Sequence, residues 1–309
     1  MEKHVVRLVG PRTKGARISA VVLRDILDTL TEGCRRALRL RIEGRSTARG
    51  QPPAWLVPAA DFDLVGLSEG STKLELDAPS LSDTEHFRQG NFLIDIDTSK
   101  SALSFCEESL KDALEGNKDS ELYDDGLLDT FGGFSRILHD GLESIEISNG
   151  TIEKQKVLSI RQPGVEAIGQ LRKEIPKSQR VRVAGKVDVI AHSTRMFTLI
   201  LDSGRKLKGV ATDLDPECLK AVFGKKAVIS GTAVYRPSGS VLRIEADRLE
   251  EAQGDVSVWS KEPKPLEAEI DIRSLHQPQG PRSGVSATFG KWPGDETDEE
   301  VRTALKELS

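Results

Sequence analysis

Residue types able to do chemistry are plentiful in this 309-residue chain, but their spacing argues against a catalytic centre. Carboxylates pair at Asp61 and Asp63, Asp95 and Asp97, and Asp124 and Asp125. Each pair offers the hard oxygens that a divalent cation takes. Strand alternation would put Asp95 and Asp97 on one face. Yet no loop has calcium-site spacing and no histidine stands in register with these pairs, so solvated acidic surface is the favoured reading. Ser71 follows Gly70 but lacks the flanking pattern of a nucleophile elbow. Cys106 falls in a predicted helix beside Leu103 and Phe105, the setting of a packed thiol. In Gly10-Pro11-Arg12-Thr13-Lys14-Gly15 the proline lacks an N–H and the phosphate-loop spacing is missing, so this reads as a surface turn. The expectation is a non-enzymatic protein with no catalytic residue, no metal site and no cofactor.

Two other groups of residues have the chemistry of binding. Phe289 and Trp292 stand beyond a polar stretch rich in Pro and Gly, with Lys291 between them. A tail cannot bury two such rings in a core of its own, because ordering costs about 1–2 kcal/mol per residue of backbone. Thr297 with Glu300 three residues on forms a capping box, and Val301, Ala304, Leu305 and Leu308 follow at helical spacing. A helix this short gains order by docking. The alternatives are that the tail folds back on the chain's own body, captures a partner, or serves as a degradation tag. The second group is basic: Arg182, Lys186, Arg195, Arg205, Lys206, Lys208 and Arg243, with Phe197 and Tyr235 as the nearby rings.

Charge is unevenly spread along the chain. Residues 1–50 carry 12 Lys/Arg against 5 Asp/Glu, and residues 51–150 carry 6 against 21. The simplest account is a basic helix packed against an acidic neighbour. No apolar run approaches the roughly 20 residues of a membrane-spanning helix. Three scattered cysteines without a Cys-x-x-Cys pair fit reduced thiols, and the N-terminus lacks a secretory pattern, so a cytoplasmic protein is expected.

The elements that must position these groups read as an α+β protein. Residues 1–176 form a mixed α/β domain. Its predicted helices span 20–40 (stopped by Gly44), 101–114, 127–138 (interrupted by Gly132-Gly133) and 165–175. Residues 55–77 read as β structure, with strands at 62–67 and 72–76; further strands are expected at 92–96, 142–147 and 152–160, with Asn149-Gly150 as a tight hairpin turn. From residue 180 the pattern becomes β-β-β-α-β-β, with strands at 180–190, 196–201, 206–210, 225–235 and 240–249 and a helix at 216–223. Residues 252–287 read as a linker, with a docked strand near 268–272, and residues 288–309 as the partner-binding tail with its short helix.

The element order over residues 178–251, with Gly185, Gly204, Gly224, Gly231 and Gly239, resembles an OB-fold, a small antiparallel β-barrel. That resemblance implies single-stranded nucleic acid as one ligand class, held by Arg182, Lys186, Arg195, Arg205, Lys206 and Lys208 with Phe197 stacking on a base. The tail, Phe289-Gly290-Lys291-Trp292-Pro293-Gly294-Asp295-Glu296 and the capped segment after it, is similar to the C-terminal tails of bacterial antitoxins encoded beside PIN-domain ribonuclease toxins. This second resemblance implies inhibition of a small nuclease toxin, with Phe289, Lys291, Trp292, Val301, Leu305 and Leu308 at the interface. The chain lacks the ribbon-helix-helix or AbrB-like module that many such antitoxins carry, and its body is several times larger.

Overall fold

The computed structural model describes residues 1–11, 13, 15, 17–68, 72–88, 96–150, 157–191, 194–211, 214–266, 297, 299–300 and 302–303. It confirms an α+β architecture, and the chain divides into two compact units, Met1–Glu267 and Ala268–Ser309. The first unit holds both the mixed part and the barrel.

The mixed part is built on a five-stranded antiparallel sheet of order β2-β3-β1-β4-β5, with β1 Glu2–Val9, β2 Asp63–Ser68, β3 Lys73–Ala78, β4 Ser144–Asn149 and β5 Leu158–Ile160. Its central strand, β1, is absent from the sequence reading. His4, Val6 and Leu8 alternate into the core, and the polar first member hides the pattern. The ring of His4 is fully buried because Glu107 Oε1 lies 2.8 Å from Nδ1 and Ser101 Oγ 3.1 Å from Nε2. Burial raises the Glu2 carboxyl, but hydrogen bonds from Ser101 and Ser104 outweigh it, with the nearby His4, and hold its pKa below the ordinary 4.5.

Helices cover the inner face of this sheet. Helix α1 (Ala20–Glu43) buries Ile26, Leu30, Cys34, Ala37 and Leu38, spaced by three and four, and ends where the Gly44 N–H closes on Leu40. A short α2 (Leu56–Ala59) occupies part of the stretch read as β, with Trp55 stacked on His86 at 5.4 Å. After α3 (Glu85–Arg88) come α4 (Ala102–Leu114), N-capped by Ser101, then α5 (Asp125–Gly132), α6 (Phe134–His139) and α7 (Gln162–Lys173). The strand expected at 92–96 lies almost wholly outside the described residues. Asn149 ends β4 and Ile147 pairs with Leu158, whereas a two-residue turn at Asn149-Gly150 would have set Ile147 against Ile152, so the expected turn position is corrected.

The second part matches the expected element order closely. Strands β6 (Gln179–Ala191), β7 (Met196–Ile200), β8 (Lys206–Val210), β9 (Lys226–Tyr235) and β10 (Val241–Glu251), with α8 (Pro216–Val222) between β8 and β9, close into a barrel in the order β10-β8-β7-β6-β9. One of its five pairings, β8 with β10, is parallel, which corrects the expectation of an antiparallel barrel. β6 pairs with β9 up to Lys186 and with β7 from Lys186 onward. Gly185 sits at that switch, where a Cβ would lie 2.5 Å from the Ile200 carbonyl oxygen, so only glycine admits the crossing backbone.

Candidate functional site

The barrel's β7, β8 and β10 side faces the mixed domain across a seam of charge. Asp124, at the N-cap of α5, is its hub. Its carboxylate accepts from the Leu127 N–H at 3.2 Å, from the Ser46 N–H at 3.1 Å and from the Ser46 hydroxyl, and it pairs with Arg243 Nη1 at 3.1 Å. Both partners are buried, with side-chain exposures of 4% and 8%. Beside them Glu121 takes Lys208 Nζ at 2.5 Å and Arg236 Nη2 at 2.9 Å. Burial raises the Glu121 carboxyl, but Lys208 and Arg236 outweigh it and hold its pKa below 4.5. The loop after β9 also reaches across: Ser240 Oγ donates to Asp119, and the Ser238 N–H donates to the Lys118 carbonyl. Much of the charge asymmetry is thus met within this unit. Arg41 of the basic α1 likewise lies 3.1 Å from Glu108 of the acidic α4.

This arrangement reassigns several residues of the nucleic-acid reading. Phe197 is 2% exposed, and its ring fills the space over Gly209, where a Cβ would lie 2.0 Å from Cζ. It is a core residue and presents no face to a base. Tyr235 is buried as well. Lys208 and Arg243 serve the seam, Arg205 pairs with Glu262, and Arg195 Nη1 donates to the Leu214 carbonyl at 3.5 Å. Arg182 stands 5.1 Å above the ring of Trp259. Lys186 and Lys206 point to solvent. The structure brings these cations to one barrel but spreads them over different sides.

The first part of the expected linker is not a free tether. Val256 is buried, residues 257–259 form a 3-10 turn, and the Glu262 carboxylate accepts from the Val241 N–H at 2.9 Å. Gln179 bonds both the Lys264 carbonyl, at 2.7 Å, and the Leu266 N–H, at 3.2 Å. Residues 252–266 therefore strap the barrel; the docked strand expected near 268–272 lies outside the described residues.

So do Phe289, Lys291, Trp292, Val301, Leu305 and Leu308. Of the second unit, the described part is the start of a helix. Glu300 Oε2 accepts from the Thr297 N–H at 2.7 Å, the reach-back half of the capping box, and from the Thr297 hydroxyl at 3.0 Å. These hydrogen bonds from Thr297 hold the Glu300 carboxyl below its ordinary value.

Of the carboxylate pairs, Asp124 is a buried structural anion, which the sequence reading took for solvated surface; Asp97 accepts from Ser99; Asp95 lies outside the described residues. Among the described residues no three His, Cys, Asp or Glu side chains group to hold a metal ion, and no helix is long and apolar enough to cross a membrane. Cys34 and Cys106 are adjacent, unbridged and buried, and burial pushes the Cys34 thiol well up, so it is not a ready nucleophile. Comparison with protein-family models, with curated proteins and with solved structures finds no match.

Proposed function

We propose that this chain is a non-enzymatic, cytoplasmic protein-binding module that inhibits a PIN-type ribonuclease toxin through residues 288–309. The observation that carries the reading is the bond from the Thr297 N–H to the Glu300 carboxylate, the reach-back half of a capping box, at the start of a helix in the second compact unit. A side-chain cap is what a short helix needs to order on contact with a partner. Phe289 and Trp292 are the residue types that dominate interfaces. In the sequence Val301, Leu305 and Leu308 recur at the spacing of one apolar helix face, and Lys291 would bring a cation to the carboxylates that such a nuclease uses to hold its metal. Deleting residues 286–309 tests this: inhibition of the partner nuclease is lost while the melting temperature of the body stays within about 2 °C. A large fall in melting temperature would instead mark the tail as an intramolecular strap.

A second reading rests on the barrel. Its strand order, with α8 between β8 and β9 and with β8 and β10 parallel, supports an OB-like barrel, and Lys186 and Lys206 remain open to a phosphate chain. It predicts binding to single strands that weakens steeply with salt, and lower affinity with a shallower salt slope when Arg205, Lys206 and Lys208 become Glu. No binding at low salt ends it.

A further inference from the structure

A cavity of about 510 Å³ lies within the first unit, where the C-terminal end of α1, residues 96–100 and α4 meet the β7, β8 and β10 side of the barrel. That volume is in the range of small-molecule sites, and the space is partly open to solvent. Much of its wall is apolar: Leu40, Phe105, Met196, Val210 and Leu242 line it from both parts.

The cations around it are unequally satisfied. Arg243 is held by Asp124 and Glu245, and Lys208 by Glu121. Arg41 and Lys100, by contrast, share one close carboxylate. Glu108 lies 3.1 Å from Arg41 Nη2 and 2.7 Å from Lys100 Nζ, with Asp97 farther off, 3.9 Å from Lys100. Arg41 Nε is buried without a hydrogen-bond partner, and the guanidinium stands 5.7 Å over the Phe105 ring. Burial pulls the Arg41 pKa down against the carboxylates of Glu108, Asp112 and Glu121, while the bond to Glu108 raises that of Lys100. Arg41 and Lys100 both line the cavity, where an acceptor would share them with Glu108.

We propose that this cavity binds a small amphipathic monoanion, a carboxylate with an aliphatic or aromatic body, its head accepting from Arg41 and Lys100 and its body lying on Leu40, Met196, Val210 and Leu242. Asp97, Glu108 and Glu121 line the same space, so a dianion such as a phosphate monoester is disfavoured and a monoanion must share Arg41 and Lys100 with Glu108. The site is independent of the tail.

The test uses the full chain and 1-anilinonaphthalene-8-sulfonate, an apolar monoanion that fluoresces on binding, displaced by decanoate or by neutral 1-decanol. The expected result is one saturable site, emptied by decanoate at a concentration at least tenfold below that of 1-decanol. Arg41→Met should weaken decanoate about tenfold and leave 1-decanol within twofold. Lys100→Gln, at a half-exposed position, should shift decanoate in the same direction, so the test survives if Arg41→Met fails to fold. Thr198→Trp, which fills the cavity, should abolish probe binding while the melting curve stays cooperative. Equal displacement by decanoate and 1-decanol, or undiminished probe binding in folded Thr198→Trp, would overturn the assignment.

Discussion

Asp124→Ala should be among the most damaging single substitutions in the first unit. Two losses combine. The N-cap acceptor of α5 disappears, worth about 1 kcal/mol. The buried Arg243 guanidinium is stranded; breaking a buried pair from one side costs about 3–5 kcal/mol, and the lower end applies because Glu245 remains 3.0 Å from Arg243 Nε. The expected loss is therefore about 4 kcal/mol, a large part of the stability of an ordinary domain. Arg243→Met removes the charge together with its burial, and Asp124 keeps its bonds from Ser46 and Leu127, so this variant should lose less. The double variant should lose less than the two singles combined, by about 2 kcal/mol or more. Urea unfolding followed by circular dichroism and tryptophan fluorescence measures each term. A loss below about 1 kcal/mol for Asp124→Ala, or an additive double variant, would refute the hub.

Gly209→Ala drives a methyl group into the Phe197 ring and should cost about 1–3 kcal/mol, partly recovered when Phe197→Leu is added; thermal melts of the three variants check it. Acid should loosen the seam at Glu121 and the contact of β1 with the start of α4 at Glu2. The carboxyls of Glu2 and Glu121 are held below 4.5, so the stability they contribute is complete above that value and is lost as pH falls through their folded pKa values. The melting temperature should be nearly flat from neutral pH down to about pH 5 and fall below it, less steeply in Glu121→Gln. At the tail, Trp292→Ala should weaken partner binding by about 2 kcal/mol or more, and Lys291→Glu should weaken inhibition by setting like charge beside an acidic site, both read by titration calorimetry. A partner still bound and inhibited after both changes would sink that arrangement even if the chain inhibits through another surface.

The barrel was legible because its strands alternate cleanly and its turns carry Gly204 and Gly239, both at positive φ. β1 was not, because a histidine holds a core register that only Glu107 and Ser101, about a hundred residues away, make tolerable. Asp124 carried a readable local signal, an N-cap ahead of Leu127, Leu128 and Phe131. Its burial was not readable, since that depends on Ser46 and on Arg243, 119 residues further along the chain. Phe197 illustrates the same limit: the apolar run around it fits a core position as well as a stacking one, and only the space over Gly209 decides between them.

The account predicts a small PIN-type ribonuclease encoded in an adjacent reading frame, and the most direct test of the tail's role is an RNA-cleavage assay with that protein. The full chain should inhibit it stoichiometrically, the chain lacking residues 286–309 should not, and a peptide of residues 286–309 should restore part of the inhibition. Equal inhibition by the full and truncated chains, or none by either, would contradict the account.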